Sequence, residues 1–404
     1  MTTTLVCCRV CGSKDLRLVL DLGSQVFAGH FPRPENQQSV PRGPLEVVVC
    51  GDCSLAQLRH EFPAEQLFGS HYGYRSGLND AMKRHLVNLT MLVAGSGEPL
   101  AVLDIGANDG TLLNCLEPES LRIGMDPLAN KFAQYWSPEV IRVPEFFTAQ
   151  GFFRASRGQK ADVVFSVAMF YDLPDPVGFA REVESVLAPG GRWLLEVAYL
   201  PSMLEATAFD TVCHEHAEYY SLTALKNIMD RAGLTIQHCE LTATNGGSVV
   251  LIVGKDGTES PTVKVLLAGE RKRNWAAEFF LLARRVADVR DWCRDTLAGY
   301  RRRGELVLGL GASTKGNVLL QRFGIGPDLL PAIGEVNADK FGRETPGTGI
   351  SIVPMAEVYA RKPAALFVLP WHFRQGIVAQ EQEFLNGGGQ LIFPLPVPII
   401  QGAT

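Results

Sequence analysis

The sequence predicts an α/β protein made of two doubly wound halves, with a small metal-binding segment ahead of them. Three observations carry this. Val102-Leu-Asp-Ile-Gly-Ala-Asn-Asp-Gly-Thr-Leu-Leu113 reads as a buried strand, a glycine turn and a helix start. Leu306-Val-Leu-Gly-Leu-Gly-Ala-Ser-Thr-Lys-Gly-Asn317 restarts the same pattern further along. Before both, Cys8-x-x-Cys11 and Cys50-x-x-Cys53 form two matched pairs. A chain of 404 residues holds two or three domains. The expected boundaries are 1–68 for the metal-binding segment, 69–254 for the first α/β domain, 255–300 for a helical connection and 301–404 for the second.

Composition narrows the function. The formal net charge is −5 and no basic stretch stands out, which argues against a nucleic-acid binder or a basic membrane surface. Apolar runs of membrane-spanning length are absent from the sequence. The opening Met-Thr-Thr-Thr-Leu-Val lacks the charged region and apolar core of a signal peptide, so a cytoplasmic enzyme is expected. The nine cysteines are an odd, uneven set and do not read as a secreted disulfide framework. No heptad pair or symmetric strand edge stands out, and a monomer is the expectation.

Cys8, Cys11, Cys50 and Cys53 suit tetrahedral zinc, each pair supplying one edge; two redox pairs are the alternative. Four sulfurs leave no open position, so such a zinc is structural. A segment this short has little core to bury, and a metal could contribute roughly 10 kcal/mol toward folding it. His71-Tyr-Gly-Tyr-Arg-Ser-Gly77 follows, in which Tyr72 and Tyr74 are either packing or substrate contacts. Ala81 to Ala94 is helical by pattern, with Met82, Leu86, Leu89 and Leu92 on one side.

In the turn after Asp104, Gly106 and Gly110 let the backbone bend and approach a ligand, and Asn108 lies between them. Leu121-Arg-Ile-Gly-Met-Asp126 is the next strand, with an acid at its end able to accept from both ribose hydroxyls. Ile141 to Val143 is a short strand followed by Glu145 and Phe146, an acid and a ring suited to an adenine amino group and face. Ala161 to Val167 and Trp193 to Val197 are further strands, with Tyr171 beyond the first and a helix from Phe179 to Leu187 between them. Ligands in such sheets bind beyond the carboxyl ends of the strands.

The densest chemistry is Phe209-Asp-Thr-Val-Cys-His-Glu-His-Ala-Glu-Tyr-Tyr220, where His214 and His216 flank Glu215. An imidazole can take a proton, and a carboxylate can orient it. The H-E-x-x-H spacing of a zinc peptidase is absent. Asn245-Gly-Gly-Ser248 then precedes a strand, Val249 to Val253. Trp275, Phe279, Leu282, Val286, Val289 and Cys293 mark one face of a long helix. In the second α/β half, Lys315 and the turn amides could hold a phosphate, with Asn317 close by and Asn337 beyond the next strand. The two halves look like duplicates facing each other over a cleft.

The spacing Asp104-x-Gly-x-x-x-Gly110 resembles the first motif of class I S-adenosyl-L-methionine (SAM) methyltransferases, and Asp104 could balance the SAM ammonium. The whole ordered set resembles the three-domain sugar C-methyltransferases of bacterial deoxysugar pathways. That set is both cysteine pairs, Tyr74 with Ser76, the Asp104 turn, His214-Glu-His216, Asn245-Gly-Gly-Ser248, Gly309-x-Gly311 through Lys315-Gly-Asn317, and Pro346-Gly-Thr348. The resemblance implies SAM as methyl donor and a nucleotide-linked 4-keto sugar as substrate, methylated at a carbon. It makes His216 the base with Glu215 beside it, gives Tyr74 to the sugar, and puts the carboxyl-terminal domain over the nucleotide. Two positions depart from the family pattern: Cys213 replaces a tyrosine, and Tyr171-Asp-Leu-Pro-Asp175 lacks the usual histidine, a role open to Tyr171. The alternatives are O-methylation of a sugar or small-metabolite hydroxyl, an NAD-dependent sugar oxidoreductase, and a zinc scaffold without catalysis.

Overall fold

A computed structural model describes residues 2–68, 73–92 and 100–403; Tyr72 lies outside the described residues. Near the amino end, β1 (Leu16–Val26), β2 (Arg42–Cys50) and β3 (Ala56–Leu58) pair antiparallel. Side chains alternate across a strand. In β2 that puts Val47 and Val49 in a core shared with the carboxyl-terminal half, and Cys50 in a second core beside Cys8 and Cys53. Helix α1 (Asp80–Met91) starts at Asn79, whose side chain accepts from the Ala81 amide, and buries Met82, Leu86 and Leu89.

The central sheet takes β4 (Ala101–Ile105), β5 (Leu121–Met125), β6 (Ile141–Val143), β7 (Ala161–Val167) and β8 (Leu187–Ala198). Helices α2 (Ala149–Ser156) and α3 (Pro176–Val186) intervene, and α4 (Leu200–Glu205) follows β8. The next strand, β9 (Glu218–Tyr219), leaves this sheet and pairs with β3 near the amino end. After α5 (Leu222–Arg231), β10 (Thr235–Thr242) and β11 (Ser248–Gly254) return to it. The order is β10-β11-β8-β7-β4-β5-β6.

Two expectations need correction. The sheet is not wholly parallel: β11 runs antiparallel to β10 and β8. The turn at Thr244–Gly246 is too short for a parallel crossover and makes a hairpin instead. The expected helix after Gly110 is also missing; only a 3-10 turn forms, at Leu113–Cys115. Pro118 ends the segment a few residues on, and the residue before a proline is pushed out of helical geometry. The Trp136 indole covers the face such a helix would take, lying against Gly110 and Gly124.

Helices α6 (Pro261–Glu270) and α7 (Trp275–Arg302) lead out, α7 burying the periodic face from Trp275 to Cys293. The second half is β12 (Val307–Leu310), α8 (Thr314–Phe323), β13 (Ala332–Glu335), β14 (Ser351–Pro354), α9 (Met355–Ala360), β15 (Ala365–Val368), α10 (Arg374–Gln380), α11 (Gln382–Asn386), β16 (Gln390–Phe393) and β17 (Ile399–Gln401). Its strand order is β14-β13-β12-β15-β16-β17, parallel except for β17. Both glycine turns, after β4 and after β12, line one cleft of about 2110 Å³. Among the described residues no helix is long and apolar enough to cross a membrane.

Candidate active site

The four sulfurs of Cys8, Cys11, Cys50 and Cys53 lie within 4.8 Å of one another, the nearest pairs at 3.4 and 3.5 Å. A tetrahedron with zinc–sulfur bonds of about 2.3 Å needs such an arrangement. The chain turns back sharply after each pair. Gly12 and Ser54 both sit at positive φ (74° and 62°) and donate their amides to the Cys8 and Cys50 carbonyls. The small residue after each second cysteine is thus a backbone requirement. The donor set is closed, so a zinc here holds structure together.

In the central sheet, Gly106 needs its positive φ of 77°, and a Cβ there would meet Met169 at 3.0 Å. Its amide bonds the Met125 carbonyl, locking the turn to β5. Asp126 accepts from the Asn108 amide at 2.9 Å and the Leu128 amide at 2.7 Å, and lines the cleft. Asn108 and Asp109 reach the other way, to the backbone of residues 74–77: Ser76 and Gly77 donate to them, and the Tyr74 carbonyl accepts from Asn108. The Tyr74 segment is thereby strapped over the turn. Asp104 is only 4% exposed, and among the described residues no cation pairs with it. Burial, with the charges of Asp126 and Asp109 adding, pushes its pKa up to about 8. A buried carboxylate on a cleft wall without a counter-charge fits a cationic ligand. Phe146 lines the cleft as well. Glu145 does not; it is exposed and pairs with Arg154 at 2.9 Å. Gly110 also stands back from the cleft, where a Cβ would strike the Trp136 ring at 2.8 Å.

The amino-terminal strands grip the His-Glu-His stretch. The Gly29 amide donates to Glu215 Oε1 at 3.1 Å, and a Cβ at Gly29 would collide with that oxygen. The Leu58 amide donates to the Ala217 carbonyl at 2.8 Å. Arg9, between two zinc ligands, faces Glu218 at 3.4 Å. His216 and Glu215 line the cleft. His216 Nδ1 lies 2.7 Å from the Thr211 carbonyl, so Nδ1 carries the proton and Nε2 the lone pair. Burial, with the Lys315 charge adding, pulls its pKa to about 4. Burial raises that of Glu215. The Tyr171 ring packs on His216, centroids 4.4 Å apart. His214 is not a cleft residue: it is 2% exposed, its Nε2 bonds the Gly43 carbonyl, and it stacks on Phe27. Adjacent side chains in this turn face opposite ways, and this one fills the core.

Tyr74 is half exposed, but the surface it exposes lines the cleft; loss of bulk water pushes its phenol up to about 12, so it stays protonated. On the far wall, Lys315 Nζ donates to the Asn245 carbonyl at 2.8 Å, joining the two halves. Asn245 and Asn337 line the cleft, the Asn337 side chain accepting from the Asp339 amide. Asn317 is fully buried away from it, donating to the Ala28 carbonyl at 2.8 Å.

Sequence reasoning missed four residues. Glu335 lines the cleft at the end of β13 and accepts from the Ala312 amide at 3.0 Å, as Asp126 does from Asn108 at the end of β5; an acid closing a strand was the available signal. Asp172 and His372 also line it. Asp210 is fully buried and accepts from Trp371 Nε1 at 2.7 Å, a second tie between the halves. No spacing in the chain announces these three.

Comparison with known proteins agrees with the geometry. Residues 8–68 match a family described as a zinc binding domain, 75–239 a methyltransferase domain, and 243–396 a C-methyltransferase C-terminal domain. The C-methyltransferase NovU of Streptomyces niveus is 32% identical over 411 residues, covering 98% of this chain and 97% of NovU. Solved structures are more distant. The mitomycin 7-O-methyltransferase MmcR is 14% identical with a TM-score of 0.35, covering 43% of this chain and 53% of its own. An O-methyltransferase family protein from Burkholderia thailandensis is 19% identical with a TM-score of 0.36, covering 48% and 64%. At those scores neither likeness carries weight. The protein is an enzyme that binds SAM and zinc, and the chain belongs to the three-domain SAM-dependent sugar C-methyltransferase family.

Proposed function

We propose that the enzyme methylates a carbon next to the keto group of a nucleotide-linked deoxysugar, with His216 as the base. The observation that supports this most is the Nδ1–Thr211 bond: it leaves Nε2 as the basic nitrogen of a neutral imidazole lining the cleft. Asp104, Asp126 and Phe146 hold SAM, which supplies an electrophilic methyl group and leaves as S-adenosylhomocysteine. The keto group makes the neighbouring C–H acidic. Its proton passes to His216 Nε2, and the C–H electron pair forms the enolate as the carbonyl pair moves to oxygen. The carbon then takes the methyl, the carbonyl re-forms, and His216 releases its proton to water. Tyr74 donates to the sugar, Tyr171 fixes the imidazole plane, and Asn245 and Asn337 line the sugar-nucleotide path. Positioning and charge stabilisation supply most of the rate. The likeness to the C-methyltransferase NovU supports methylation at carbon.

His216→Ala is expected to lower turnover at least a hundredfold while S-adenosylhomocysteine binds as before. Activity equal to the parent rejects His216 as base, and NMR placing the product methyl on oxygen rejects carbon methylation.

A further inference from the structure

The enolate has to be stabilised at its oxygen, and the residues assigned so far do not bring a cation there. Several cations line the cleft, and Lys315 is the one whose charge reaches His216: Lys340 pairs with Glu335 at 3.6 Å, Arg75 with Asp109 at 4.0 Å, and Arg374 bonds the Gln401 side chain. Lys315 sits in the first turn of α8, and its Nζ reaches across to the Asn245 carbonyl at 2.8 Å. That carbonyl belongs to the hairpin turn of the opposite half, at a residue held at φ 56°. The ammonium has three donors, and the Asn245 bond uses one. Asp210 faces it from the turn that also carries the Thr211 carbonyl holding His216. Lys315, His216 and His372 line the same cleft, and the Lys315 charge acts on both imidazoles.

A phosphate anchor would sit elsewhere. The turn beside Lys315 offers little to a phosphate: the Gly311 amide donates to the Gly334 carbonyl, the Ala312 amide to the Glu335 carboxylate and the Gly316 amide to the Ser313 side chain. A diphosphate pressed against Lys315 would also bring negative charge beside His216 and favour its protonated form, which cannot take a proton. A single oxygen anion that appears only as His216 becomes charged meets the opposite condition. Two positive groups then flank one new negative charge, and the arrangement is satisfied only at that moment.

We propose that the Lys315 ammonium is a catalytic group that binds the substrate's carbonyl oxygen and stabilises the enolate formed when His216 removes the neighbouring proton. This rests on the proposed function.

The test is the partial reaction without SAM: exchange of the proton next to the carbonyl for deuterium, followed by NMR, with thymidine- and uridine-diphosphate-linked 4-keto-6-deoxyhexoses as probes. Lys315→Met is expected to slow exchange at saturating sugar nucleotide at least a hundredfold, with sugar-nucleotide affinity changed less than threefold and S-adenosylhomocysteine binding intact. Lys315→Cys alkylated with bromoethylamine, which restores an ammonium, is expected to recover at least a tenth of the parent rate, and that rescue is the deciding measurement where the methionine variant does not fold. Unchanged saturating exchange with binding weakened tenfold or more makes Lys315 a diphosphate anchor and overturns the proposal, as does failure of the alkylated cysteine to recover exchange. No exchange by the parent enzyme on any probe overturns the proposed function itself.

Discussion

Asp104 shows how one buried side chain couples ligand binding to protons. Its pKa, pushed up to about 8 by burial and two neighbouring carboxylates, keeps it largely protonated at neutral pH before ligand arrives. An ammonium beside it lowers that pKa, so binding S-adenosylhomocysteine at pH 7 is expected to expel a proton. The effect fades above pH 8, where the group is already ionised, and at acid pH, where the bound form is protonated too. Calorimetry in two buffers of different ionisation enthalpy measures it, and Asp104→Asn should remove it. Equal proton release in that variant would place the ammonium elsewhere. Asp104 was legible from the sequence because a strand, an acid and a glycine turn are local. His214 was not: it carries the same side chain as His216 two residues away, and only the Phe27 ring and the Gly43 carbonyl, distant in sequence, show that it faces the core. Asn317 was misplaced for the same reason, its partner Ala28 lying 289 positions earlier.

At the scale of elements, the zinc-binding knuckle and β9 form one unit. Arg9 donates its guanidinium to the Leu58 carbonyl and its own amide to the Gln57 side-chain oxygen, both at 3.0 Å, and faces Glu218, which is 1% exposed. Burial pushes the Glu218 pKa up well above the usual carboxylate range, with Arg9 working the other way. Arg9→Met is expected to cost about 3 kcal/mol by leaving a buried acid without its cation, with kcat falling because Glu218 lies two residues from His216. Replacing both, Arg9→Met with Glu218→Gln, should recover most of the melting temperature; an equal loss in both proteins would show that the pair does not couple. The sequence announced both cysteine pairs and six strands of the central sheet, β11 among them without its direction, because glycine turns and apolar runs are self-contained. It did not announce the antiparallel run of β11, the missing helix after Gly110 or the departure of β9 to another sheet. Those depend on where Trp136 and β3 lie.

For the whole molecule, function depends on holding two α/β halves at one separation. Polar ties span the cleft from Lys315 to Asn245 and from Trp371 to Asp210. The amino-terminal strands brace the far side, with Gln321 bonding the Val26 backbone and Arg343 the Phe31 carbonyl. Trp371→Phe keeps an aromatic ring, though a smaller one, and strips Asp210, fully buried, of its donor. The expected cost is about 1–3 kcal/mol, seen as a lower melting temperature together with a reduced kcat/KM. Unchanged kcat/KM at the lower melting temperature would mean the halves keep their spacing without this tie. The duplicate appearance of the two glycine turns was readable from the chain; their facing one another was an expectation the cleft lining now fills with named residues.

The detour of β9 has a consequence for biosynthesis. Its partner β3 ends at Leu58, and Glu218 leaves the ribosome about 160 residues later. At a synthesis rate of roughly 5–20 residues per second, β3 spends on the order of ten seconds with one flank unpaired. An unpaired β flank is a template for joining other chains. The nascent protein is therefore most exposed to aggregation before the stretch proposed to carry its base is made, and residues two positions beyond His216 close that flank.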